Sequence, residues 1–334
     1  MRRDAGLLFL PAVLVLLTGC ASVDATPATS PAPSPATPLA TGSDGGETAW
    51  VRLDDAPFAR LEMGVAAHED RIWLAGGLSP FGDALTDVDV FDPATGAWSD
   101  GPPLPASLHH ASLVSTGDRL LLIGGYRGSS FGTPVDLVLE LTADGWVAGP
   151  SLPEPRAAGA AAWDGERVVY AGGVGTGVSP DVFALTGTTW TKIGVLSAPR
   201  EHLAATSDGA GRTWLLGGRV GGLDTNVATV ESVVGDSIET HPALSVPRGG
   251  VAAFFLPPTG ACLTGGEAPD RAHTQVECTD EGGGLVALPD MGAPHHGHGA
   301  AVVSGRAYVM LGGPEPGLSA GAVVERLDLG SGAD

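Results

Sequence analysis

Arg71-Ile72-Trp73-Leu74-Ala75-Gly76-Gly77 is a short apolar run closed by two glycines. The design returns as Arg119-Leu120-Leu121-Leu122-Ile123-Gly124-Gly125. Glycine pairs close similar runs at Gly172-Gly173, Gly217-Gly218, Gly265-Gly266 and Gly312-Gly313, so that successive pairs lie 48, 48, 45, 48 and 47 residues apart. A repeat of this length is one supersecondary unit that must stack on its neighbours to bury its faces. Two further marks keep the period. Trp50, Trp98, Trp146 and Trp190 begin a series continued by Ile238 and Val286. Ten residues after each member come Arg60, Leu108, Arg156, Arg200, Arg248 and His296.

Each unit has room for four short strands. In the first, the pattern predicts strand a over Met63–His68, strand b over Arg71–Ala75, strand c over Asp87–Phe91 and a strand d marked by Trp98. The stretch Asp92-Pro93-Ala94-Thr95-Gly96 supplies the residues that a tight reversal between c and d requires. A tryptophan on strand d offers a large plate to pack between neighbouring sheets. Six units arranged radially make an all-β, six-bladed propeller. The last unit ends in a strand over Ala322–Leu329, and its missing fourth strand is expected from Glu47–Leu53, closing the ring and removing both open edges.

The glycine pair, the aromatic expected on strand c (Phe91, Phe183) and the spaced tryptophan together resemble the kelch repeat. The resemblance spans roughly residues 48–330, although repeats five and six lack the tryptophan. It implies a kelch-type propeller closed by an N-terminal strand. It does not give the function, because kelch propellers include enzymes and binding modules.

Ahead of the propeller lie two segments of other character. Residues 1–20 read as a lipoprotein signal peptide: Arg2 and Arg3, an apolar stretch from Leu7 to Leu17, then Leu17-Thr18-Gly19-Cys20, which resembles a lipobox. Cys20 is then the acylated first residue of the mature chain, and the protein is expected to be exported and lipid-anchored, at the cell surface or a periplasmic face. Residues 21–47 are Ala, Thr, Ser, Pro and Gly with almost no large apolar residue, the composition of a linker. The propeller is expected to be monomeric.

Composition narrows the partners. Among 17 Lys and Arg only Lys192 is a lysine, and the formal charge is −21. Nucleic-acid binding needs a basic footprint, so that class is excluded. Export makes a disulfide permissible, and Cys262 and Cys278 fall on adjacent strands of one repeat, where a bridge is expected.

The residues ten after each tryptophan-series position, and those two later, are read as converging on the mouth of the ring. The candidate ligand-binding set is Arg60, Glu62, His110, Arg156, Arg200, His202, Arg248, His296 and His298. Arginine forks suit carboxylate or phosphate. The expected ligand is therefore an anionic small molecule, a sugar acid or an acidic peptide. His110, His202 and His298, in alternate blades, would suit zinc or copper if their nitrogens converged on one ion. The width of a six-bladed ring argues against that, and no metal or cofactor is expected. No nucleophile elbow, metalloprotease helix or phosphate loop is present, and no catalytic residue is assigned. The reading is a tethered binding module, with an exported kelch-type sugar epimerase or mutarotase as the alternative.

Overall fold

A computed structural model describes residues 37–38, 47–280 and 283–330. The expected signal peptide, Cys20 and most of the linker lie outside the described residues. Thr37–Pro38 pairs in parallel with Val286–Ala287 on the outer strand of the fifth blade.

The described chain is an all-β propeller of six blades, each a four-stranded antiparallel sheet. Blade 1 comprises Gly64–His68, Arg71–Ala75, Val88–Asp92 and Ala97–Asp100 as strands a to d. These bounds lie within a residue of those expected from the sequence. In blade 6, Gly299–Val303, Arg306–Gly312 and Gly321–Asp328 are joined by Ala49–Arg52, which pairs antiparallel with the last of them. Closure therefore joins the two ends of the domain. The inner strands, a, neighbour one another around the whole ring.

The repeat marks have structural causes. On the outer strands, the indole N–H of Trp146 donates to Pro102 O, that of Trp190 to Pro150 O and that of Trp50 to Pro289 O. Each tryptophan thus packs against the preceding blade while its one polar atom is satisfied. The glycine pairs end strand b with both residues at positive φ. The second glycine donates to a carbonyl of the next blade, as from Gly77 to Leu108, Gly125 to Arg156 and Gly173 to Arg200. A Cβ at Gly124 would stand 2.3 Å from Arg156 O. Gly124→Ala is therefore expected to destabilise by about 2–3 kcal/mol, combining the left-handed penalty with a backbone clash. Gly96→Ala, at φ 74° with nothing within 4 Å, should lose only about 1 kcal/mol. Urea titration of the two variants checks this, and equal losses would mean that the inter-blade approach is unimportant.

Blade 6 departs from the sequence reading by one residue. Leu311 at φ 59° and Gly312 at φ 80° occupy the two glycine positions, and Gly312 N donates to Arg60 O. In place of the pair expected at Gly312-Gly313, Leu311 takes the first position and is fully buried with Met63, Ile72 and Leu74 between blades 6 and 1. That burial offsets the roughly 1–2 kcal/mol of a left-handed leucine. Cys262 and Cys278 face each other on strands b and c of blade 5 and are disulfide-bonded.

Candidate functional site

The four arginines are placed just before strand a of their blades, and their heads turn into the sheet instead of the mouth. Arg60 meets Asp89 at 2.6 Å, Arg200 meets Glu231 at 2.5 Å and Arg248 meets Glu277 at 2.8 Å, each carboxylate lying on strand c of the same blade. Arg156 binds Glu154 and Ser179 Oγ. In blade 6 His295 plays the part, 3.0 Å from Glu325. In blade 2 the pair is replaced by buried Leu108 and Leu139, which share one apolar cluster. The glutamates also hold the incoming chain, since Glu231 accepts from Ser197 N, Glu277 from Ser245 N and Glu325 from Gly292 N. The arginines, His295 and the three strand-c glutamates are 5% exposed or less and Asp89 9%, whereas Glu154, the partner of Arg156, is exposed. They form a stapling layer, which corrects the expectation that Arg60, Arg156, Arg200 and Arg248 recognise a ligand.

The mouth is built two residues further on. Glu62, His110, Ala158, His202, Gly250 and Gly297 each donate a backbone N–H to the preceding blade's carbonyl, closing a ring of six hydrogen bonds of 2.7–3.0 Å. All six have φ between 53° and 64°. Glycine accepts this conformation freely, whereas other residues lose about 1–2 kcal/mol each. Side chains retained there at that cost mark a place where function is to be sought.

Three of the four non-glycine members converge on the axis. His110 Nε2 lies 3.1 Å from His202 Nε2 and 3.4 Å from Glu62 Oε2, and His202 Nε2 lies 3.7 Å from Glu62 Oε1. Each histidine is held from behind. His202 Nδ1 bonds the Glu201 carboxylate, and His110 Nδ1 bonds His109 Nδ1 at 2.6 Å. Arg219 bridges Glu201 and Glu267 at 2.9 and 2.7 Å. Burial pushes the Glu62 carboxyl up to about 7, and holds the His110 imidazole down to about 3 and that of His109 to about 4. Burial also holds His202 well below its ordinary range. A carboxyl poised near neutrality beside two neutral imidazoles can accept, donate or share a proton.

Loops after strand b rise around this centre. Tyr126 packs on His109, and Phe131 lies edge-on over His109 and His110 at 5.0 and 5.3 Å. Phe81, Val220 and Leu318 stand on the corresponding loops of blades 1, 4 and 6 and are exposed.

A family model described as "Kelch motif" matches residues 59–105. The chain is 28% identical over 305 residues to "Kelch-like protein terF" of Aspergillus terreus, covering 82% of this chain and 66% of that protein. It is 26% identical to "Beta-scruin" of Limulus polyphemus, covering 64% of this chain and 25% of the relative. It thus spans just under two thirds of the first and a quarter of the second. A solved structure titled "Structure of YjhT" matches with a TM-score of 0.69 at 13% identity, over 81% of this chain and 95% of the other. The described chain is thus a six-bladed β-propeller that carries a kelch motif over residues 59–105 and is similar to kelch-repeat proteins.

On the propeller frame, the candidate residues divide by layer. Glu62, His110 and His202 meet at the mouth. His296 lies beside them, its Nδ1 3.4 Å from Glu267 and its Nε2 3.3 Å from Ser319 Oγ. His298 does not complete a threefold set with His110 and His202. The one-residue displacement in blade 6 puts Gly297 in the ring, and His298 lies behind it, bonded to Thr264 Oγ1 at 2.9 Å. The supporting residues His109, Glu201 and Arg219 were not assigned as ligand-binding from sequence, and adjacency to His110 and His202 was the available signal for the first two.

Proposed function

We propose that this kelch-type propeller is a membrane-tethered, extracytoplasmic binding module whose partner, a protein segment carrying apolar side chains, docks on the mouth face. The observation that carries this reading is the set of apolar side chains on the mouth loops. Phe81 is 91% exposed, Leu318 59%, Phe131 48% and Val220 41%. Aromatic residues presented on loops by a rigid scaffold are typical anchors of binding energy. An anionic small molecule is less well supported, because the guanidinium of Arg219 is already paired with the carboxylates of Glu201 and Glu267. The tether rests on the lipobox-like Leu17-Thr18-Gly19-Cys20. If extended, the 16 residues between Cys20 and the docked Thr37 would reach about 50 Å from the membrane. Mass spectrometry of the membrane fraction should find an acylated Cys20 as the first residue, and an unmodified soluble protein starting elsewhere would remove the tether.

Selection of a random peptide library on the purified chain tests the docking face. Enriched peptides should share an apolar or aromatic anchor and lose at least about tenfold in affinity to the Phe81→Ser/Phe131→Ser variant, about 1.4 kcal/mol. Val147→Ser, on the outer strand of blade 2, should leave affinity unchanged. Acidic peptides insensitive to the double change would refute an apolar docking face. The second reading, a sugar epimerase or mutarotase, is favoured by the near-neutral Glu62 carboxyl beside two histidines. It requires turnover of an acidic sugar that Glu62→Gln abolishes.

A further inference from the structure

We propose that Glu62, His110 and His202 form a site for one divalent transition ion of the zinc class, with a fourth position left to water or to a donor atom of a bound partner. Zinc bonds to histidine nitrogen and carboxylate oxygen are about 2.0–2.1 Å long, so adjacent ligand atoms of a tetrahedral site lie about 3.3 Å apart. Here His110 Nε2 and His202 Nε2 are 3.1 Å apart, Glu62 Oε2 lies 3.4 Å from the first and Glu62 Oε1 3.7 Å from the second, and one ligand atom from each residue lies within 4.8 Å of the others. Two imidazoles and a carboxylate are the donor set of a borderline ion, and three protein ligands are the number found where one position stays open.

Two features independent of these distances agree. The outer partners are those of a metal site. Glu201 holds His202 by Nδ1 and His109 holds His110 by Nδ1, which leaves both Nε2 atoms turned to the common centre. The charges also fall short by two. With the histidines neutral, the connected network contains the carboxylates of Glu62, Glu201 and Glu267 and the guanidinium of Arg219. A divalent cation makes it neutral. The ligands come from blades 1, 2 and 4, so the ion would tie non-adjacent blades across the axis. All three sit at left-handed positions where Gly250 and Gly297 show that glycine also serves.

Cobalt(II) is the probe, added to the full-length purified protein after stripping with EDTA. One equivalent should give the intense visible absorption of tetrahedral cobalt, and zinc should displace it. Glu62→Gln, nearly isosteric, should abolish that spectrum while keeping the melting temperature of the stripped protein. Glu201→Gln, which keeps all three ligands, should weaken binding about 10–100-fold. His241→Ala, on the outer strand of blade 4, should have no effect. Absence of a one-equivalent tetrahedral spectrum, or its persistence in Glu62→Gln, overturns the site and leaves a trio that shares a proton. Docking of a partner on the apolar loops would stand in either case.

Discussion

Arg200→Ala is expected to lower folding stability by about 3–5 kcal/mol, the usual consequence of leaving one half of a buried ion pair behind. The melting temperature should fall by roughly 10 °C. The Arg200 head donates to Gly217 O and Thr229 O at 2.7 and 2.9 Å, and its salt link to Glu231 is 2.5 Å. Both side chains are about 1% exposed. Truncation leaves a buried carboxylate and two carbonyls without their donor. An Arg200→Met/Glu231→Leu double variant should recover part of the loss, since a packed apolar pair often replaces a buried ion pair without penalty. Recovery stays partial because Glu231 also accepts from Ser197 N. A melting temperature within about 2 °C of the parent in thermal scans of Arg200→Ala would remove the stapling role.

Acidification of the EDTA-stripped protein is the second large effect. Unfolded histidines take up protons near 6.5, whereas folded His109 and His110 do so only near 4 and 3. Their contribution is complete above 6.5 and is lost as pH falls toward those values. At pH 5 each has lost about 2 kcal/mol. His202 and His298 are displaced in the same direction by burial and add to the loss. Glu62 acts oppositely. Its folded value, about 7, exceeds the ordinary 4.5, so its protonated form adds stability as pH falls through that window, by roughly 2–3 kcal/mol at pH 5. The sum is a net loss below pH 6.5. Glu62→Gln removes the offset, so its stability should fall more steeply with acid than the parent's. Urea titrations of both proteins from pH 8 to 5 measure the difference, and parallel curves would show that Glu62 is not buried as described.

The propeller was legible because three marks with one period each have a local cause: glycines where strand b meets the next blade, tryptophans bonded to the preceding blade, and a basic staple. Ring closure by residues 49–52 followed from the unit left short of a strand. The site was only half legible. Periodicity identifies equivalent positions but not the side of the chain on which a head emerges, so the staple was read as a mouth. Its partner signal was present in Asp89, Glu231, Glu277 and Glu325, which follow Arg60, Arg200, Arg248 and His295 by 29, 31, 29 and 30 residues. The histidine threefold failed because blade 6 comes one residue early: Gly297, 47 residues after Gly250, holds the ring position, one residue before His298.

The claim that recognition takes place on the mouth face is tested most directly by photo-crosslinking in the producing cells. A benzophenone side chain is placed at residue 131 or 81, and in separate proteins at residue 147 or 195 on the outer strands. A discrete crosslinked species is expected from 131 and 81 and none from 147 or 195. Crosslinks confined to the outer strands, with none from the mouth loops, would contradict it.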